Sequence, residues 1–173
     1  DNPNGDRTMT SIIKVDQIQN AAGTAGLSID SNGYVVSPNR PAFHVTGSGQ
    51  AKAAGWQKVT YSGTPTLNRG GCYDQPTSKF IAPIDGLYVL NTGGYIPANN
   101  SPERYAFAFY HNGYASGIIA GGTQPSVDAP LEAFSQLIDM NANDYIEVYM
   151  YTPNAETLGS GGHPMWLQGY LLG

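Results

Sequence analysis

Charge is scarce in this chain. Asp, Glu, Lys and Arg make up 12% of its 173 residues, about half the usual share for a soluble domain. A soluble monomer keeps itself dispersed with charge, so this composition suits a compact assembly hydrated by Asn, Ser, Thr, Gly and Tyr hydroxyls. The cations also stop early. Arg104 is the last basic residue, and only Asp128, Glu132, Asp139, Asp144, Glu147 and Glu156 follow it. A nucleic-acid binder needs a basic stripe to displace counterions from phosphates. None is present, which argues against nucleic acid as a partner.

Cysteine is nearly absent. Cys72 stands alone, so no intrachain disulfide is possible. It reads as a small buried hydrophobe, with a catalytic thiol or an intersubunit bridge as the alternatives. Long apolar runs are missing too: none approaches the roughly 20 residues that span a bilayer. No segment has the basic start and apolar centre of a signal peptide. Membrane insertion is therefore not expected, and release by cell lysis is one route to the outside.

Helical periodicity of useful length is also lacking. What the chain has is Gly, 22 of them, 12 Tyr, and short strand-like runs. Strands are expected near 42–46, 56–61, 79–82, 86–96, 104–110, 113–119, 131–139, 144–152 and 164–172. In "YIEVYMY", Ile146, Val148 and Met150 alternate with Tyr145, Glu147, Tyr149 and Tyr151, a strand with one buried and one wetter face. "YAFAFYHNGYASGII" is two strands around Asn112-Gly113. Many short strands with Gly and Pro turns imply an all-β sandwich or closed barrel.

Ahead of these strands the texture differs. Residues 1–10, "DNPNGDRTMT", read as disordered or tag-like, with Met9 a candidate native start. Residues 11–40 read as an extended arm with one β-hairpin, signalled by Asn32-Gly33 between Leu27/Ile29 and Tyr34/Val35. One hairpin cannot bury its own apolar face. The arm therefore needs the head, a copy of itself, or another protein. "PNRP" marks the boundary to a head spanning 41–173.

The stretch "GGCYDQPTSKFIAPIDGLYVL", residues 70–90, carries strand residues on both sides of an "APIDG" break. Pro83 and Gly86 would interrupt a helix twice within a turn. A strand, a sharp corner and a second strand fit instead, with Phe80 and Tyr88 inward and the corner switching between sheets.

Asn68, Tyr73, Phe80, Gly86, Tyr88 and Leu90, with Ala82 and Pro83, resemble the signature of complement C1q-like head domains. These are jelly rolls related to tumour necrosis factor. Two positions depart from it: Ser62 stands where Phe is expected, with Tyr61 one place off, and Thr92 replaces an aromatic. "RPAF" and "MWLQGYLLG" resemble the first and last strands of that family, so the likeness covers about 41–173. It implies a sandwich of two antiparallel sheets and, since family members associate in threes, a homotrimer. The leader "IKVDQIQNAAGTAGLSIDSNGYVVSPNRPAF" resembles those ahead of such heads in virion proteins of tailed phages. Collagen-type Gly-X-Y repeats are absent.

Catalytic chemistry is not signalled. His44, His111 and His163 lack metal-ligand spacing, and no nucleophile elbow is present. Asp139 and Asp144 flank "MNAN", which lacks a calcium-loop pattern and reads as a solvated turn, with a Ca²⁺-accepting loop as the alternative. No cofactor is implied. Tyr145, Tyr149 and Tyr151 read as sugar-stacking residues or as side chains between subunits. Loops 120–130, 139–144 and 153–163, the last holding Asn154 and His163, are the expected recognition segments. Without Lys or Arg in that half, a neutral sugar is the expected ligand.

The resemblances together imply a non-enzymatic, homotrimeric phage protein on the virion surface, made in the host cytoplasm. The expected role is a tail-fibre or receptor-binding head adhering to a host glycan or outer-membrane component, with the arm contacting other virion proteins. The alternative is a capsid decoration protein whose arm grips the shell. A glycan-active enzyme on the same scaffold is a third reading, because fold does not determine function.

Overall fold

A computed structural model describes residues 13–96, 104–123, 129–130, 133–160 and 162–172. The expectation of disorder at 1–10, Met9 included, lies outside the described residues, as do 124–128 of the first candidate loop. The chain divides between Asn39 and Arg40 into two compact units.

The arm is a three-stranded antiparallel sheet of β1 (Gln17–Gln19), β2 (Ala25–Ile29) and β3 (Val35–Val36), with β2 in the middle. The Asn32-Gly33 signal does close a hairpin, pairing Ile29 with Val35. Asp30 caps that turn, its carboxylate accepting from the backbone N–H groups of Asn32 and Tyr34, both at 2.9 Å. Asn20 caps the preceding turn in the same way, accepting from the backbone N–H groups of Ala22 and Thr24. The third strand, β1, was not legible in the weak alternation of "SIIKVDQIQN".

The head holds the remaining strands. Its first half contains β4 (Ala42–Gly47), β5 (Gln50–Lys52), β6 (Gly55–Lys58), β7 (Leu67–Arg69), β8 (Tyr73–Asp74), β9 (Lys79–Ile81), β10 (Gly86–Gly93) and β11 (Tyr95–Ile96). Its second half contains β12 (Arg104–His111), β13 (Tyr114–Thr123), β14 (Ala129–Pro130), β15 (Phe134–Met140), β16 (Tyr145–Thr152), β17 (Glu156–Leu158) and β18 (Met165–Leu171). Five strands form one sheet in the order β15-β10-β18-β4-β7. The facing sheet runs β13-β12-β16-β9-β8, with β6 paired to the far half of β16. Two short pairs, β17-β5 and β11-β14, complete the head. Among the described residues there is no helix.

The core lies between the two sheets and takes alternate residues from both. Ile146, Val148 and Met150 of β16 are buried in it, as their alternation predicts. Asn112-Gly113 forms a two-residue hairpin joining β12 to β13, with φ of 51° and 85°. Two consecutive positive φ values define the type I′ turn that Asn-Gly favours.

The "APIDG" break is a corner between sheets: β9 belongs to the six-stranded sheet and β10 to the five-stranded one. Phe80 and Tyr88 are fully buried, their rings 5.1 Å apart and tilted by 59°. Phe80 also stacks on Phe43, which stacks on Tyr73. The Tyr88 hydroxyl donates to the Ile84 carbonyl inside the corner at 2.8 Å. Gly86 leaves the corner with φ of 153°, a conformation open to glycine and strained for other residues. Asn68 is bound to the backbone of Tyr73 through both ends of its amide, accepting from N–H at 2.9 Å and donating to C=O at 3.0 Å. Pro83 is exposed at the bend and Leu90 is fully buried.

The two departures from the signature meet inside this core. Tyr61 is fully buried and Ser62 exposed, so the core position is filled one residue early. The Thr92 hydroxyl donates to the Trp166 carbonyl at 2.9 Å. Its only proton is thereby used, so the Tyr61 hydroxyl is the donor in their 2.7 Å contact. Burial pushes the Tyr61 phenol well above its usual pKa, and the proton stays on that oxygen.

Candidate functional site

Each sheet turns one face away from the core, and the two outer faces differ in chemistry. On the six-stranded sheet, Tyr145, Tyr149 and Tyr151 project outward from β16 and are half-buried. Register surrounds them with side chains from distant segments. Tyr151 lies between Ala106 of β12 and Trp56 of β6, and Tyr149 between Ala108 and Lys58. The Trp56 and Tyr151 rings are 5.7 Å apart. Tyr149 stacks on Tyr110, centroids 3.9 Å apart. Ala106 and Ala108 face outward yet are buried, because their small side chains let the neighbouring groups lie over strand β12.

Charged groups are set into the same face. Glu147 forms an ion pair with Lys58, whose ammonium also donates to the Thr77 carbonyl at 2.7 Å. Lys79 reaches the same Glu147 oxygen at 3.9 Å and sits 3.7 Å above the Tyr145 ring, a cation–π contact. Burial, and then the Glu147 carboxylate, raise the Tyr149 phenol pKa. Trp56, Lys58, Lys79 and Tyr110 escaped the sequence reading. Each lies outside 145–151, and only strand order brings it to β16.

The other candidate residues fall at opposite ends of the sandwich. The 139–144 turn, between β15 and β16, shares its end with the Asn112-Gly113 hairpin and the Pro83–Gly86 corner. Asp144 holds these together. Its carboxylate accepts from the Asn112 side-chain amide at 2.7 Å and from the Asn141 N–H at 2.8 Å, and lies 3.3 Å from His111. These contacts, Asn112 first, hold its carboxyl below the usual carboxylate range. Asp139 is exposed on β15 opposite Leu87. The described residues contain no group of three or more His, Cys, Asp or Glu able to hold a metal ion.

Segment 153–163 lies at the far end of β16. Asn154 and His163 are exposed there, and the His163 ring meets Tyr95 of β11 at 5.3 Å. The β11-β14 pair places 129–130, the end of the first candidate loop, at this same end. Residues 129–130 thus share an end with 153–160, and 139–144 does not.

On the five-stranded sheet the outer face carries an apolar patch, edged by Asp139 opposite Leu87 and by Asn91, Ser135 and Gln168. Val89 lies in register between Leu137 and Tyr170. Leu87 and Leu172 are joined by a backbone hydrogen bond one row away. Leu87, Leu137, Tyr170 and Leu172 are all exposed, Leu137 at 54%. Four large side chains are thus exposed together on one sheet.

No protein-family model matches the chain, and no curated protein aligns with it significantly. Solved structures do match. The globular domain of a zebrafish complement 1qA protein aligns over 77% of this chain and 98% of its own, at 14% identity and a TM-score of 0.55. Murine APRIL, solved at pH 5.0, aligns over 77% of this chain and 99% of its own, at 15% identity and a TM-score of 0.58. The head has the C1q/TNF-like jelly-roll fold. At these identities the likeness extends to the fold alone.

Proposed function

We propose that this chain is a non-enzymatic, self-associating virion surface protein of a tailed phage, a homotrimer whose head adheres to a host-cell glycan or outer-membrane component. The observation that carries the reading is the apolar patch on the outer face of the five-stranded sheet. Leu87, Val89, Leu137, Tyr170 and Leu172 form one patch in a chain with little charge to keep such a patch solvated. Association between copies buries it, and closed symmetry limits the assembly. The C1q/TNF-like fold supports association in threes, and the leader's resemblance to phage virion proteins supports the particle. The six-stranded face stays available for recognition. On and beside that face, Glu147 is held by lysines and Asp144 by turn amides.

A second reading, capsid decoration, is favoured by the arm. Val15, Ile18, Leu27, Ile29 and Val35 line an apolar hollow of about 110 Å³ on its three-stranded sheet. All five are more than a third exposed. An arm of this kind needs a protein surface to cover it. Purified chain is expected to coat host cells and to compete with phage adsorption. Failure to bind cells, combined with tight binding to undecorated capsids, decides for decoration. A labelled antibody against the chain then shows its position on intact particles.

A further inference from the structure

Two Asn-Gly pairs turn hairpins among the described residues, Asn32-Gly33 in the arm and Asn112-Gly113 in the head. Asn4-Gly5 lies outside the described residues. Asparagine before glycine is chemically labile. The next backbone nitrogen can attack the side-chain carbonyl carbon, and glycine has no side chain to crowd that nitrogen. Both asparagines are exposed, so exposure does not separate them. Their hydrogen bonds do. The Asn112 amide is tied at both ends, Nδ2 donating to Asp144 Oδ1 at 2.7 Å and Oδ1 accepting from the Tyr145 N–H at 2.9 Å. The Asn32 side chain makes no hydrogen bond among the described residues, and only its backbone N–H is held, by Asp30. Space differs as well. No atom lies within 4 Å of the position a Cβ would take on Gly33, whereas at Gly113 the Tyr145 hydroxyl is 3.4 Å from it. Reaction at Asn32 has to release the Gly33 N–H from the Asp30 carbonyl, a 2.9 Å bond. The turn it belongs to closes only two register pairs, Ser28 with Val36 and Ile29 with Val35.

We infer that Asn32 is a site of spontaneous deamidation, and that its products loosen the hairpin of the arm while leaving the head intact. The Gly33 nitrogen loses its proton to solvent base and bonds to Asn32 Cγ. The bond from Cγ to the side-chain nitrogen then breaks, and that nitrogen leaves as ammonia. One water opens the resulting five-membered succinimide. Attack at Cγ restores the normal backbone and gives aspartate, and attack at the backbone carbonyl gives isoaspartate. An amide nitrogen is exchanged for oxygen, and nothing is oxidised or reduced. Aspartate sets a second carboxylate close to that of Asp30, which accepts from the N–H groups of Asn32 and Tyr34. Isoaspartate routes the chain through the side chain and adds a methylene between Asp30 and Tyr34. Val35 is then displaced from its place opposite Ile29, and two register pairs resist little. The head is spared because Asp144 and Tyr145 lock the Asn112 amide.

Mass-spectrometric peptide mapping of the full chain, stored at mildly alkaline pH, tests the site. Trypsin places Asn32 in 15–52 and Asn112 in 105–173, apart from Asn4 in 1–7. In the folded chain Asn32 is expected to convert at least about tenfold faster than Asn112, whose amide must first be freed from two hydrogen bonds. In urea the two rates should converge, because those bonds are gone. Asp144→Ala should raise the Asn112 rate and leave that of Asn32 unchanged. Hydrogen exchange reads the consequence. Residues 28–36 should exchange faster in stored than in fresh chain, and residues 104–123 should not. Asn32→Ser keeps a turn-forming residue that cannot cyclise, so its arm should not change with storage. Equal rates in the folded chain overturn the inference, as does an intact Asn32 under conditions that convert it in urea. Unchanged exchange of 28–36 in stored wild type, or the same acceleration in stored Asn32→Ser, also overturns it.

Discussion

Tyr88 and Cys72 are both buried, but they do different work. Tyr88 fills the core behind the corner, packed on Phe80 and anchored to the Ile84 carbonyl. Tyr88→Ala should cost about 3–5 kcal/mol. Cys72 donates a weak hydrogen bond to the Arg69 carbonyl, which a serine hydroxyl can also make. In thermal scans Cys72→Ser should therefore melt close to wild type and well above Tyr88→Ala. Burial also pushes the Cys72 thiol pKa up to about 11, which suits a core side chain rather than a nucleophile. The Tyr61–Thr92 pair gives a second test. Thr92→Val strands the buried Tyr61 hydroxyl and should cost about 1–3 kcal/mol. Adding Tyr61→Phe removes the stranded donor, so the double variant should be more stable than the sum of the two single effects predicts. A denaturant-based double-mutant cycle measures this coupling. Asp144 supplies a pH signature. Its carboxyl is held below the ordinary range by Asn112 and Asn141. The stabilisation is thus present above the unfolded-state value, about 3.9, and is lost as pH falls through the folded-state value. Asp144→Asn should melt lower than wild type at neutral pH, and the gap should close in acid.

Strand existence and strand length were legible to different degrees. The long strands of the head announce themselves by alternation, and β16 follows its pattern residue by residue. The short ones, β5, β7, β8 and β17, have two or three residues each, too few for a period to show. The run read as 86–96 is broken at Gly94 into β10 and β11, which pair with different partners. The expected 56–61 strand ends at Lys58, although the Val59 N–H still donates to the Val148 carbonyl of β16, and Tyr61 turns into the core. The arm has the opposite character. Its turns are well capped, but its single sheet leaves Ile18, Leu27, Ile29 and Val35 exposed. Residues 41–173 should therefore fold on their own, whereas residues 11–40 alone should remain unstructured. Circular dichroism with thermal melting checks both, and a cooperative transition in the isolated arm would contradict the expectation.

For the whole molecule the deciding quantity is the number of chains. Sedimentation equilibrium at micromolar concentration should give roughly three times the chain mass of 18.4 kDa. Leu137→Asp places a charge in the apolar patch beside Val89 without touching the core, because Leu137 faces away from it. That variant should sediment as a monomer with its secondary structure intact, since a charge buried without a partner at an interface is strongly unfavourable. Unchanged association in Leu137→Asp would move the interface elsewhere on the head.

Local chemistry was enough for much of this protein. Its short alternating runs require strands, Asn-Gly requires tight turns, and Pro83 and Gly86 require a corner, because each constrains φ and ψ within a few residues. The scarcity of charge was equally plain without coordinates. What the linear order could not contain was adjacency across sheets. Tyr61 and Thr92 are 31 positions apart and share a hydrogen bond. Lys58 and Glu147 are 89 apart and form an ion pair. The acidic, tyrosine-bearing half of the chain looked cation-free, yet strand pairing carries two lysines into its aromatic face. Strand order in a sandwich follows from burying two apolar faces at once, a constraint on the entire chain that no single segment expresses.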